Sequence, residues 1–175
     1  PATFEKTVVS FRMAFDAGGR LAGFRILPGP PPAEWSPAPY ADPSKARERD
    51  VTIGNGEWAL PGTLSLPASG KGPFPGLVLV HRSGPPDRDE TVGGSKVFRD
   101  LAGGLAARGV AVLRYEKRTK AHGARMKGLD VTLKEEVLDD AVGALSLLRS
   151  QPEVDPRRAG LLGHSQSQGA QVDEG

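Results

Sequence analysis

Three short runs, residues 76–80, 110–113 and 159–163, carry no charged side chain and are separated by segments whose apolar residues recur at helical spacing. A strand apolar on both sides has to be covered on both faces, which an isolated hairpin or an open antiparallel sheet does not do. Alternating strands and amphipathic helices therefore predict an α/β fold, a mostly parallel sheet with helices on both faces. Between the first two runs, Ser95 is expected to cap a helix that buries Phe98, Leu101, Ala102 and Leu105 and stops at Gly109. Between the last two, Thr132 and Glu135 have the spacing of a capping box. The helix they open should bury Val137, Leu138, Ala141, Ala144, Leu145 and Leu148 and end at Gln151-Pro152. Residues 58–66 read as a further strand with an irregularity at Pro61-Gly62.

Before this pattern the chain is organised differently. Residues 7–15 alternate apolar and polar, Asp16-Ala17-Gly18-Gly19 is turn chemistry, and residues 21–27 are a second apolar run. The pair predicts a β-hairpin. Two strands alone are marginal in water, so residues 1–28 are read as the remnant of a small N-terminal module. Pro28, Pro30, Pro31, Pro32, Pro37, Pro39 and Pro43 follow, and proline neither continues a helix nor donates to a sheet. Residues 29–50 are accordingly assigned to an extended linker, with the main domain over residues 51–175 and a boundary near Asp50.

Composition narrows the functional classes. Of 175 residues, 25% are charged, yet the formal net charge is only +2, and the basic residues are interspersed with acidic ones. No basic stripe with interleaved aromatics is present, so a nucleic-acid partner is not expected. With no cysteine, thiol nucleophiles, disulfides and cysteine metal sites are excluded. No residue set has metal-ligand spacing, no cofactor motif stands out, and no apolar run is long enough to span a bilayer. The chain begins Pro1-Ala2-Thr3 without an initiator Met. Upstream residues are therefore expected to be missing, and a lost secretory leader leaves both an extracytoplasmic and a cytoplasmic location open. Oligomeric state is equally open.

The chemistry gathers where the apolar runs end. Gly163-His164-Ser165 leaves the last run, and a serine on a sharp strand-to-helix turn exposes its hydroxyl above the sheet edge. His81-Arg82-Ser83-Gly84-Pro85-Pro86-Asp87 leaves the first run, at the carboxyl edge where open α/β sheets bind ligands. Taken alone, each segment is also a plausible surface turn.

Together these residues resemble the dienelactone-hydrolase-like esterases of the α/β-hydrolase superfamily. The resemblance is carried by Leu60-Pro61-Gly62-Thr63-Leu64, Val78-Leu79-Val80-His81, Ser83-Gly84-Pro85, Asp87-Arg88-Asp89-Glu90, Phe98-Arg99-Asp100-Leu101-Ala102, Arg114-Tyr115, Lys117-Arg118 and Gly163-His164-Ser165. It implies a small-molecule carboxylic ester as substrate and an acyl-serine intermediate on Ser165. It also implies an oxyanion hole from backbone N–H groups near Arg82 and Gln166, with His81, Ser83 and His164 supporting the loop and the elbow.

Two residues depart from the family pattern, which has glycine where Arg82 and Ser167 stand. Arg82 is expected to hang a long cation over the mouth of the site. The family order puts an acid and then a histidine after the nucleophile, and no histidine follows Ser165, so the chain reads as truncated after its elbow and inactive alone. Asp139 and Asp140 are assigned to the solvent face of their helix, and His122 to solvent. Asp87, Arg88, Asp89 and Glu90 are read either as pocket rim or as a solvated loop. Two other readings stay open: a serine peptidase of the prolyl-oligopeptidase type, and a catalytically dead binding module.

Overall fold

The computed structural model describes residues 11–26, 34–129 and 132–165. The chain divides into two compact units, residues 1–34 and 35–175. In the first, β1 (Phe11–Phe15) pairs antiparallel with β2 (Leu21–Ile26), matching the expected hairpin over its described length. Asp16 closes the turn, its Oδ1 accepting from the N–H groups of Gly18 and Arg20 at 2.9 Å each. Residues 7–10 and 27, where the first strand was expected to begin and the second to end, lie outside the described residues.

The second unit is built on five strands, β3 (Ala46–Ile53), β4 (Leu60–Pro67), β5 (Phe74–Val80), β8 (Ala111–Tyr115) and β9 (Val154–Gly163), in the spatial order β3-β4-β8-β5-β9. A two-stranded ribbon, β6 (Thr91–Val92) with β7 (Ser95–Lys96), leads into helix α1 (Val97–Ala106). Two short helices, α2 (Arg118–Ala121) and α3 (Gly123–Met126), follow β8. A π-helical turn, Lys134–Leu138, opens α4 (Asp139–Arg149).

The sheet is mixed rather than mostly parallel. β5 runs parallel to β8 and β9, whereas β3 and β8 both run antiparallel to β4. Connection length explains this. The short links on either side of β4 cannot make a crossover to a parallel neighbour, whereas α1 and α4 supply the crossovers β5→β8 and β8→β9.

Alternation along β5 divides the core between the two faces. Val78 and Val80 pack with Leu64, Leu113, Val137, Ala141, Ala144 and Leu148, so α4 covers that side. Leu79 packs with Phe98, Ala102 and Val112 under α1. Burial of such side chains is worth roughly 1.5–3 kcal/mol each, which makes these two layers the main stabilisers of the unit. At two glycines of the sheet the packing leaves no room for a side chain. A Cβ on Gly62 would meet Ile53 Cδ1 at 2.8 Å and the Arg114 carbonyl at 3.0 Å, and one on Gly76 would meet Val154 at 2.9 Å and Leu148 at 3.0 Å.

Several expectations are corrected here. Ser95 does not cap α1 but sits in β7, and the Phe98 N–H donates instead to the Asp89 carbonyl at 2.9 Å. Gly109 ends the helix as expected: at φ +90° it donates to Ala106 while Val110 donates to Leu105, the paired bonds of a Schellman stop. The predicted boundary near Asp50 falls inside β3, and the chain packs on this unit from Trp35 onward. Trp35 Nε1 donates to Asp100 at 3.2 Å, and the Tyr40 ring lies where a Cβ on Gly104 would stand, 2.6 Å away. Asp140 is buried against Arg118, not solvated, while Asp139 is paired with Lys134 at the surface. Half of the Thr132–Glu135 capping box forms: Glu135 Oε2 accepts from the Thr132 N–H at 3.0 Å, but Thr132 Oγ1 accepts from the Lys134 N–H at 3.2 Å rather than from that of Glu135.

Candidate active site

The carboxyl ends of β5, β8 and β9 lie side by side, and each releases chemistry-bearing residues: His81-Arg82-Ser83, Lys117-Arg118 and His164-Ser165. β5 and β9 remain paired up to Val80 and Gly163, and the His164 N–H continues the ladder to the Val80 carbonyl at 3.0 Å. The turn then breaks sharply. Ser165 adopts φ +59°, a left-handed conformation that an L-residue takes only under strain of about 1–3 kcal/mol, and its side chain is exposed. A strained, exposed serine one residue beyond the last ladder bond is what a nucleophile elbow requires. Gln166 and Ser167 lie outside the described residues.

The loop after β5 is held from several sides. Lys117, itself buried and ion-paired with Glu136 at 2.6 Å, donates from Nζ to the Arg82 carbonyl at 3.1 Å. A trans peptide points its carbonyl and its N–H in opposite directions, so this bond also orients the Ser83 amide. Thr119 Oγ1 donates to the Gly84 carbonyl at 2.9 Å, tying the loop's next turn to α2. Arg82 does not hang over the mouth as expected. Its Nε lies 2.7 Å from Oε1 of Glu90, whose side chain is wholly buried.

The four charged residues 87–90 do not form a solvated loop. Burial raises the Asp87 carboxyl, but the bonds it accepts from Thr91 Oγ1 at 2.7 Å and from the Thr91 N–H at 2.9 Å, together with the Lys96 charge, hold it below the usual range. Arg88 reaches Glu116 at 3.0 Å and Thr63 Oγ1 at 2.9 Å. Asp89 binds Lys96 at 2.9 Å and buried Arg114. Glu90, at φ +51°, takes Arg82 and also lies 3.4 Å from His164 Nδ1. Its second oxygen, Oε2, is buried without a hydrogen-bond partner among the described residues.

The three histidines have separate surroundings. His81 is buried between Phe98 and Tyr115, with ring centroids 5.3 and 5.1 Å away, and neither nitrogen completes a hydrogen bond among the described residues. Burial and the nearby Lys117 charge push it down to about 4, opposed only in part by the backbone and carboxylate of Asp87, so at neutral pH it is an uncharged packing group. His122 Nε2 is 2.9 Å from the Ala59 carbonyl and its ring stands edge-on to Trp58, a structural position rather than a solvated one. His164 faces Glu90. No group of acidic or histidine side chains among the described residues could hold a metal ion. No described helix is long and apolar enough to cross a membrane. A cavity of about 200 Å³ lies between α1 and the segment from Trp35 to Glu48, but none of its lining residues belongs to the strand-end loops.

Comparison with known proteins agrees with this fold. The chain is 39% identical over 162 residues to esterase EstD of Thermotoga maritima, a match covering 93% of this chain and 37% of EstD. Among solved structures it superimposes on a dienelactone hydrolase from Anabaena variabilis with TM-score 0.51, 24% identity, 69% of this chain and 53% of that one. The chain has the α/β-hydrolase fold seen in dienelactone hydrolase and is similar in sequence to part of an esterase. Brefeldin A esterase, a bacterial homologue of human hormone-sensitive lipase, shares the fold at TM-score 0.51 and 18% identity over 76% of this chain and 34% of its own. No family model matches. Because this α/β-hydrolase chain spans little more than a third of EstD, it corresponds to a part of that esterase's length.

Sequence reasoning left Glu90 between pocket rim and solvated loop, gave Lys117 no role of its own, and put Asp140 on the solvent face, whereas all three are buried and paired. The available signal lay on the strand and helix patterns themselves. Arg114 sits in the fully buried run of β8, and Asp140 falls three residues after Val137 on the apolar face of α4. A charge in either place requires a partner of opposite sign.

Proposed function

We propose that this chain supplies the nucleophile and the oxyanion loop of a serine esterase that hydrolyses carboxylic esters through an acyl-serine intermediate. The observation that carries the reading is Ser165 at φ +59°, exposed directly after the last ladder bond of β9 and beside the loop that leaves β5. In the proposed reaction Ser165 Oγ attacks the ester carbonyl, and the charge that develops on its oxygen is met by backbone N–H groups of the Arg82–Ser83 segment and of Gln166. Fixed donors of this kind contribute about 2.7–4 kcal/mol each to the transition state. The base that accepts the serine proton and the acid that orients it follow the nucleophile in the family order.

The test uses the protein expressed from its complete reading frame, with p-nitrophenyl acetate as substrate and a fluorophosphonate as label. Turnover that disappears in Ser165→Ala, with the adduct mapped to Ser165 by peptide mass spectrometry, is the expected result. An adduct on Ser167 would move the nucleophile by two residues. Faster turnover of a dipeptide p-nitroanilide than of the ester would favour a peptidase, and absence of both turnover and adduct would leave a binding module.

A further inference from the structure

The Glu90 carboxylate is the most unusual group near the site. It has no exposed surface, it belongs to a non-glycine residue in the left-handed region, and one of its oxygens has no hydrogen-bond partner among the described residues. Ordinary loop carboxylates avoid all three conditions, because burying a charge and twisting the backbone are both costly. What the fold obtains in return is a junction. Glu90 Oε1 is within 2.7 Å of Arg82 Nε and 3.4 Å of His164 Nδ1. Arg82 belongs to the oxyanion loop, and His164 immediately precedes the nucleophile.

The turn that carries Glu90 is rigid in its own right. Its N–H donates to the Asp87 carbonyl at 3.0 Å, and the Asp87 carboxylate fastens Thr91 on the far side. Asp89, one residue earlier, is anchored to Arg114 in the centre of β8 and supplies the carbonyl that begins α1. Arg82 is meanwhile gripped at both ends, its carbonyl by Lys117 and its guanidinium by Glu90. A shift of Glu90 would therefore be transmitted to the oxyanion loop and the elbow together.

We infer that Glu90 is a positioning residue that sets the spacing between the nucleophile on Ser165 and the oxyanion donors of the Arg82–Ser83 segment, acting through Arg82 and His164. This rests on the serine-esterase reading above and adds to it a residue that touches no substrate. Its charge, not only its shape, is required, because a neutral amide holds a guanidinium and an imidazole less firmly than a carboxylate does.

Glu90→Gln preserves volume and a hydrogen-bond acceptor and removes the charge. In the protein expressed from its complete reading frame, kcat on p-nitrophenyl acetate should fall by about 10- to 100-fold, as expected for a misplaced reacting group. KM should stay within about twofold, since no ground-state contact is lost. The rate of fluorophosphonate labelling at Ser165 should fall with kcat. If labelling is intact in the parent and kcat is unchanged in Glu90→Gln, the inference is overturned while the serine reading stands. If the parent shows no Ser165 adduct, the serine reading fails and this one with it. Should Glu90→Gln not fold, Arg82→Lys answers the same question, because it keeps the positive charge but not the Nε contact. A comparable fall in kcat at unchanged KM supports the inference, and full activity overturns it.

Discussion

Arg82 Nε and Glu90 Oε1 are 2.7 Å apart, and while the arginine side chain is about a third exposed, at 37%, the glutamate side chain is entirely enclosed. The arginine that stands where the family has glycine is therefore not a cation loose in the substrate path. It is the counter-ion of a buried carboxylate.

The consequence for Arg82→Gly is the reverse of what a simple return to the family residue suggests. Removing the guanidinium strands the Glu90 charge, and breaking a buried pair from one side costs about 3–5 kcal/mol. The variant should melt well below the parent and show lower, not higher, kcat/KM on a short neutral ester. A parent-like Tm with raised kcat/KM would show that the pair is dispensable and that the arginine obstructs the site.

The backbone of Ser165 gives a second expectation. At φ +59° a Cβ is unfavourable by about 1–2 kcal/mol, so glycine should be preferred there over any other residue lacking the hydroxyl. Ser165→Gly should accordingly be more stable than Ser165→Ala by about 1 kcal/mol, inverting the order these two residues show in regular secondary structure. Denaturant midpoints of the two variants check this. Equal midpoints, or a more stable alanine variant, would mean the elbow is not strained.

His81 makes stability depend on pH. Its pKa is about 4 in the folded chain against an ordinary value of 6.5, so between those limits the unfolded chain binds the extra proton. The contribution of the neutral buried ring is complete above pH 6.5 and declines as pH falls toward 4, by about 3 kcal/mol in all. Thermal melts at pH 7 and pH 5 should differ, and His81→Phe should shrink the difference because the titrating group is gone. A difference of the same size in the variant would assign the pH dependence to other groups.

These properties were unequally legible in the sequence. Strands β5 and β8 were visible because they are covered on both faces and are apolar but for Arg114, and α4 was visible from its periodicity. Of β9 only the apolar end, residues 159–163, was legible, and it proves a partly exposed edge strand that begins at Val154 with charged residues. β3 was hidden. An edge strand needs only backbone pairing on one side, so its sequence, ARERDVTI, can be mostly charged, and it pairs with β4 over its full length all the same. The proline-rich approach to it concealed a second packing surface, since Trp35 bonds Asp100 of α1 while Ala41 and Tyr40 settle where Gly103 and Gly104 leave space.

At the strand ends, Ser165 and the loop from His81 could be singled out because strand-end position and residue type coincide there. Glu90 could not, because four consecutive charges ordinarily mark a solvated turn. Their partners, Arg82, Thr63, Arg114 and Lys96, are scattered along the chain and come together only through the strand order. Pairing across a sheet whose order is not the order of the sequence cannot be read from local patterns.

The last expectation concerns the 175 residues by themselves, and it turns on where the histidines point. A serine nucleophile needs a neutral imidazole within hydrogen-bond reach of its hydroxyl, held by a third group. Three histidines are present in the chain. His81 is sealed between two aromatic rings on the core side of the loop, His122 is bonded to the Ala59 carbonyl beside Trp58, and the His164 ring faces Glu90. His81 and His122 are committed to other partners, and His164 Nδ1 is set against Glu90 at 3.4 Å. Serine, base and acid act as a unit, so loss of one member removes most of the rate that all three supply. The isolated chain should therefore hydrolyse p-nitrophenyl acetate no faster than its Ser165→Ala variant and take up no fluorophosphonate at Ser165. Ser165-dependent turnover by the purified 175-residue chain would mean that one of these histidines swings to serve as the base, with His164, nearest in sequence to the nucleophile, the first to substitute.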